Sequence, residues 1–349
     1  MNDNWKNHLL ALGARLDQGH CLHFGDTEAE KRAALRDHVL CDLSHYGLIR
    51  ASGEEAGDFL QNQFCNDVRK VDLTHSQLNG YCNPKGRVLA LFRLFRQDGD
   101  YLLRLPREIL EPTLERLRMF VLMSKVTLQD DSDAQVSIGY SGADAARHLG
   151  SALGSAPAAI DECLHTETLT VIRVRGPQPR FEIHGSEAAV RSLWDTLSDQ
   201  ARPAGSMAWT LLDIHAGLPE VLAATREAFV PQMLNLQALD ALSFHKGCYP
   251  GQEIVARMRY LGKLKRRMYR AHTDADTCPR PGDNLFAEGS ESGQGVGKVV
   301  LAETAPTGGA DLLAVIEIAS AGQGGLRLYD ANGPLLALQD LPYDTEEEA

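Results

Sequence analysis

The sequence predicts an α+β protein with two related halves followed by a small β-barrel. Three observations predict it. Strand-like runs at 77–82, 88–95 and 101–105 form an antiparallel meander through the turns Asn83-Pro84-Lys85-Gly86 and Asp98-Gly99, and from Arg107 the apolar period changes to about 3.6 residues. A similar order recurs at 169–197, and after Asp274 only short β-like runs punctuated by glycine and proline remain.

The elements follow in order. Residues 1–40 alternate charge and leucine without a strong period and read as a short helical lead-in. A strand at 47–51 leads into a helix bearing Ala56, Phe59 and Leu60, for which Ser52 and Glu55 have capping-box spacing. After the meander, Leu110, Leu114, Leu117 and Val121 share one helix face, and Pro112 is tolerable only in a first turn. The stretch 141–159, rich in Gly, Ser and Ala, connects to the second half, where strands at 169–174 and 180–184 precede a helix with Val190, Leu193, Trp194 and Leu197 on one face. The expected barrel strands lie at 296–301, 312–318, 326–329 and 335–338. Expected boundaries are a lead-in at 1–40, an α+β region at 41–240, a loop and basic strand at 241–273, a barrel at 274–343 and an acidic tail at 344–349.

With 349 residues and 44% hydrophobic composition, the chain has enough apolar surface for two or three cores. A formal net charge of -12 restricts any polyanion site to a local patch. Residues 1–12 lack a basic region leading into an apolar one, and no run approaches the ~18 apolar residues of a membrane span, so the expectation is a cytoplasmic protein without a membrane partner. Seven scattered cysteines (Cys21, Cys41, Cys65, Cys82, Cys163, Cys248, Cys278) fit reduced thiols better than a disulfide framework. His20, Cys21 and His23 would need distant ligands that the sequence does not advertise, and no metal site is expected.

The stretch Lys246-Gly247-Cys248-Tyr249-Pro250-Gly251-Gln252-Glu253 carries the strongest chemical signal. A lysine two residues from a cysteine, flanked by glycines, favours an accessible thiolate; a buried cysteine in a Gly/Pro turn is the competing reading. Beyond it, Arg257, Arg259, Lys263, Lys265, Arg266, Arg267 and Arg270 occur with no acidic residue between Glu253 and Asp274. Ile254, Ala256, Met258 and Tyr260 alternate with Val255, Arg257 and Arg259, which reads as a strand with a basic face turning at Gly262. That strip suits a polyglutamyl folate tail, an acidic protein or RNA, and equally suits a solvated face.

The run 246–253 resembles the K-G-C-[YF]-x-G-Q-E signature of the YgfZ family, relatives of the glycine-cleavage T-protein. GEEAGDFLQNQFCNDV (53–68), YCNPKGRVLALFRLF (81–95), WTLLDIHAGLP (209–219) and FVPQMLNLQAL (229–239) resemble further family segments in the same order. The resemblance implies two related folate-binding α+β domains around a central channel, then a β-barrel. It implies tetrahydrofolate or a derivative as ligand, with Tyr46 and Trp209 at the folate. It also implies iron-sulfur assembly or client proteins as partners, an indirect effect on tRNA methylthiolation, and Cys248, tuned by Lys246, as the reactive thiol. Gly247, Tyr249, Gly251, Gln252 and Glu253 would position it, and Arg257, Arg259, Lys263 and Arg266 would offer a polyanion or tRNA contact.

Departures from the T-protein stand beside these matches. Where that enzyme has an acidic pair after its glycine turn, this chain has Ala90 and Leu91, and its pterin-contacting glutamate aligns with Gln178. Aminomethyl transfer is therefore the second expectation, behind a folate-dependent accessory factor, and an RNA-binding module is the third.

Overall fold

A computed structural model describes residues 1–17, 19–260, 262–288 and 295–345. Helix α1 (Asp3–Ala11) is capped by Asn2, whose Oδ1 accepts the Asn4 and Trp5 amides at 3.1 and 3.2 Å. The hairpin β1 (Arg15–Asp17) and β2 (His20–His23) follows, then α2 (Thr27–Arg36) behind its N-cap Asp26. Trp5 is buried and its indole N–H donates to Asp42 Oδ1 at 2.8 Å, so the lead-in is fastened into the core.

After β3 (Val39–Asp42), the first half comprises β4 (Tyr46–Ser52), α3 (Ala56–Gln63), β5 (Gln77–Cys82), β6 (Val88–Gln97), β7 (Asp100–Pro106), α4 (Leu110–Arg118) and β8 (Thr127–Asp130). The second comprises β9 (Val136–Ser141), α5 (Ala145–Leu153), β10 (Cys163–His165), β11 (Leu169–Val174), β12 (Arg180–Gly185), α6 (Glu187–Leu197) and β13 (Arg202–Ala204), before α7 (Ser206–His215). The strand orders are β5-β6-β7-β4-β8 and β10-β11-β12-β9-β3-β13. Matched element by element, they are the same order with β3 inserted before the last strand. The expected pseudosymmetry is therefore a topological fact.

Pro112 falls in the first turn of α4, where a missing N–H costs nothing. The capping box is not formed. Ser52 is the last residue of β4, paired with Thr127, and the Glu55 carboxylate accepts the Lys125 amide instead. Val121 lies beyond the end of α4.

The remaining elements are α8 (Gln252–Tyr260), β14 (Arg266–Thr273), β15 (Asn284–Ala287), β16 (Gly297–Thr304), β17 (Ala310–Glu317), α9 (Ile318–Gln323), β18 (Leu326–Leu328) and β19 (Ala337–Gln339). The expected basic strand is corrected here: 252–260 is helical. The amides of Ile254 and Val255 bond the Gly251 carbonyl, and Val255 is the fully buried residue of α8. Over nine residues, alternating apolar and basic side chains satisfied either period, and tertiary contact decided between them.

The last sheet runs β18-β15-β16-β17-β14-β19. Leu328 and Leu336 amides bond the carbonyls of Pro334 and Leu326, so the segment entering β19 pairs back onto β18 and closes the sheet into a barrel. Part of the expected acidic tail, 346–349, lies outside the described residues.

The chain divides into two compact units. One comprises Met1–Leu60, Val68–Gln77 and Phe92–Leu212; the other comprises Gln61–Asp67, Leu78–Leu91 and Asp213–Ala349. The first has one core around Trp5, Tyr140, Phe181 and Trp194 and another around Tyr46, Phe95 and Trp209. The second has one around Cys65, Cys82, Phe229 and Tyr249, and the barrel interior around Leu285, Val299 and Leu312. Among the described residues, no helix is long and apolar enough to cross a membrane.

Candidate functional site

In the second unit, the 246–253 signature is built onto the glycine turn 83–86. Asn83 Oδ1 accepts the amides of Lys85 and Arg87 at 2.9 and 3.0 Å, and its Nδ2 donates to Glu227 Oε2 at 3.0 Å. Gly86 has φ +69° and Gly251 φ +85°, and a Cβ on Gly251 would lie 2.5 Å from the Asn83 carbonyl oxygen and 2.8 Å from Gly86 Cα. Two sequence-distant glycines thus meet backbone to backbone, which no side chain would allow.

The segment 229–239 braces this assembly. Gln232 Nε2 donates to the Val255 carbonyl of α8 at 2.7 Å, and Asn235, in the left-handed region at φ 57°, donates to the Met268 carbonyl of β14 at 3.0 Å. Both carriers are buried.

Lys246 is buried, and its ammonium donates to the carbonyls of Gln61, Phe64 and Asn66, two of these bonds measuring 2.6 and 3.0 Å. It also lies 5.3 Å from the Tyr249 ring centre. Its charge is held by backbone carbonyls around the end of α3, and it clamps the loop. Near it is Cys65, lowered first by a hydrogen bond with Cys82 and further by the Gly80 amide and the Lys246 ammonium, against burial. Cys82 is raised by the same hydrogen bond and by burial.

Cys248 is the exposed thiol of the seven. Tyr249 beside it is 7% exposed and anchors the loop in the core. Gln252 opens α8, whose Glu253, Arg257 and Arg259 are exposed, as is Lys263 beyond it. The Arg259 guanidinium lies 4.0 Å over the Phe244 ring, while Arg266 is paired with Glu317 at 2.7 Å. Among the described residues, the part of the basic strip without an ion pair, side-chain hydrogen bond or ring contact is Arg257, Lys263 and Lys265, on and just after a helix.

In the first unit, Tyr46 and Trp209 belong to one core cluster at 5% and 0% exposure. The Arg104 guanidinium lies 3.9 Å over Tyr46, and Arg180 lies 3.7 Å over Trp209. Arg104 also forms a bidentate pair with Glu182 at 2.8 and 3.2 Å. Burial pushes that carboxyl up, but Arg104, His184 and Arg93 together hold it well below the usual carboxylate range. Sequence reasoning had no signal for these arginines, because each reaches its ring from another strand. Two further features of this region were also missed. The Trp209 Nε1 and both ring nitrogens of His45 are buried without a hydrogen-bond partner among the described residues, and the His45 ring lies 4.0 Å from that of Tyr46. Burial first, then His20 and Arg104, keeps His45 neutral.

A family model described as the GCVT N-terminal domain matches residues 20–242. The tRNA-modifying protein YgfZ of Serratia proteamaculans (strain 568) is 31% identical over 310 residues, covering 89% of this chain and 94% of its own. That of Sodalis glossinidius (strain morsitans) is 32% identical over 305 residues, covering 87% and 93%. The chain belongs to the YgfZ family. Among solved structures, the glycine cleavage system aminomethyltransferase T of Bartonella henselae matches with a TM-score of 0.76 at 17% identity, over 97% of this chain and 96% of that one, which establishes a shared fold. In this YgfZ-family chain Ala90 and Leu91 are buried and apolar. Gln178 donates its amide to the Leu35 carbonyl at 3.0 Å.

Proposed function

We propose that this protein is a folate-binding accessory factor that supports tRNA modification by sustaining iron-sulfur enzymes, with the Cys248 thiol as its acting group. The observation that carries the reading is the setting of Cys248: an exposed thiol on a loop clamped by a buried lysine and seated on a glycine turn. Its relatives are tRNA-modifying proteins by name. Three of the other thiols are poor competitors, and Cys65, though lowered, is fully buried. Burial raises Cys21, pushes Cys163 up to about 11, and helps raise Cys82. Cys248→Ser should leave the fold intact and abolish support of several iron-sulfur enzymes in cells lacking the natural gene. Full activity of the serine variant would remove the thiol from the mechanism.

For folate, the first unit supplies aromatic surface at Tyr46 and Trp209 together with orphaned polar atoms on Trp209 and His45, a donor set suited to a fused heteroaromatic ring. Because Trp209 is fully buried, a folate reaching it displaces what covers it. Tetrahydrofolate should therefore quench tryptophan emission in a titration, and Trp209→Phe should abolish most of the quench. Unchanged emission at saturation would separate folate from this cluster. Aminomethyl transfer is the weaker reading, since Ala90 and Leu91 supply no carboxylate. Contact with a polyanion through Arg257 and Lys263 would show as salt-dependent tRNA binding whose slope flattens on charge reversal.

A further inference from the structure

One cluster of ligating side chains in the first unit lies outside everything described so far. We propose that His38, Asp144 and His148 form a site for one divalent transition-metal ion, zinc being the chemistry that fits. Each offers one ligand atom, and these atoms lie within 4.8 Å of one another. A tetrahedral zinc ion places its ligand atoms roughly 3.4 Å apart, so closure requires small rotations of the side chains, of which Asp144 is exposed. Two imidazoles and a carboxylate form a borderline donor set with a fourth position left for water.

The surroundings are arranged as for a bound cation. Tyr140 Oη sits 2.5 Å from His148 Nδ1, fixing the ring so that Nε2 faces the cluster. His38 packs against the turn at Gly142, where a Cβ would meet its ring at 2.2 Å, and a metal ion bound at its Nε2 displaces the Asp144 amide that donates to that atom at 3.0 Å. Asp144 precedes α5 as its N-cap yet makes no side-chain capping bond, so its carboxylate is not committed to a backbone amide of the helix. A cation is already drawn to the spot. Arg147 Nη2 stands 3.2 Å from both Asp144 Oδ1 and His148 Nε2, on a side chain 66% exposed and able to swing away.

The test is titration of the whole chain carrying Cys248→Ser with zinc against a chromogenic chelator, and with cobalt for its visible bands. One equivalent should bind with a tetrahedral nitrogen/oxygen cobalt spectrum. Asp144→Asn and His148→Ala should each weaken binding at least about tenfold. Arg147→Ala should tighten it several-fold by removing the competing charge. Circular dichroism checks the fold of His148→Ala, and the exposed Asp144→Asn keeps the test decisive if that variant unfolds. Absence of stoichiometric binding, equal affinity in Asp144→Asn, or no tightening in Arg147→Ala would each overturn the proposal.

Discussion

Cys248 and Trp209 both stand at positions singled out by the family resemblance, and the fold treats them in opposite ways. Cys248 is exposed on a loop whose base is rigid, held by Lys246, Tyr249 and the contact of Gly251 with Gly86. Trp209 is sealed, with Arg180 over one face and Gly139 so close that a Cβ there would lie 2.2 Å from the indole. A reactive group needs access with fixed direction, whereas a large aromatic contributes most to stability when nothing but protein surrounds it. The difference teaches that a shared motif marks a position without saying whether its side chain meets solvent.

The largest effect expected from breaking this contrast is at the sealed residue. Trp209→Ala should cost about 3 to 5 kcal/mol in urea unfolding, because it empties a full core site and strips Arg180 of its ring. A loss under 1 kcal/mol would show the indole to be less enclosed than described. Next comes the clamp. Lys246→Met removes an ammonium that satisfies three carbonyls and should cost about 3 kcal/mol. The same variant sharpens the comparison, since alkylation restricted to Cys248 in the parent should extend to Cys65 and Cys82 once the loop loosens. Parent-like labelling with parent-like stability would deny Lys246 its structural role.

A smaller effect comes from the pair that covers Tyr46. The folded Glu182 carboxyl is depressed relative to the unfolded chain, so its contribution is fully present above the unfolded value and is lost as pH falls through the folded one. Unfolding midpoints from pH 7 down to pH 3 should therefore fall more steeply in the parent than in Glu182→Gln. Equal slopes would mean that Arg104 does not hold the carboxylate.

Much of this architecture was legible because it rests on local pattern. The meander from Gln77 to Pro106 declares its turns through Asn-Pro-Lys-Gly and Asp-Gly, and α4 announces itself by spacing and by a proline that fits only a first turn. What was not legible depends on distant partners. α8 carries an alternation that its contacts overrule, and the Ser52–Glu55 spacing is defeated by the Lys125 amide, which takes the carboxylate. Lys246 sits two residues from Cys248 in sequence, yet its ammonium turns toward carbonyls some 180 positions away. His38 and Asp144 are 106 residues apart and meet only because β3 is inserted beside β9.

The closure of the barrel limits how the second unit can recruit another molecule. An open sheet can accept a foreign strand by lending it a row of unpaired backbone groups, and many proteins are captured, or misassembled, in that way. Here, among the described residues, the segment from Pro334 to Gln339 is hydrogen-bonded to β18 at its start and to β14 at its end, so the row that this edge would lend is already taken. Recognition by this part of the molecule therefore falls to side chains, whose charge and shape can discriminate among partners in a way that backbone zippering cannot.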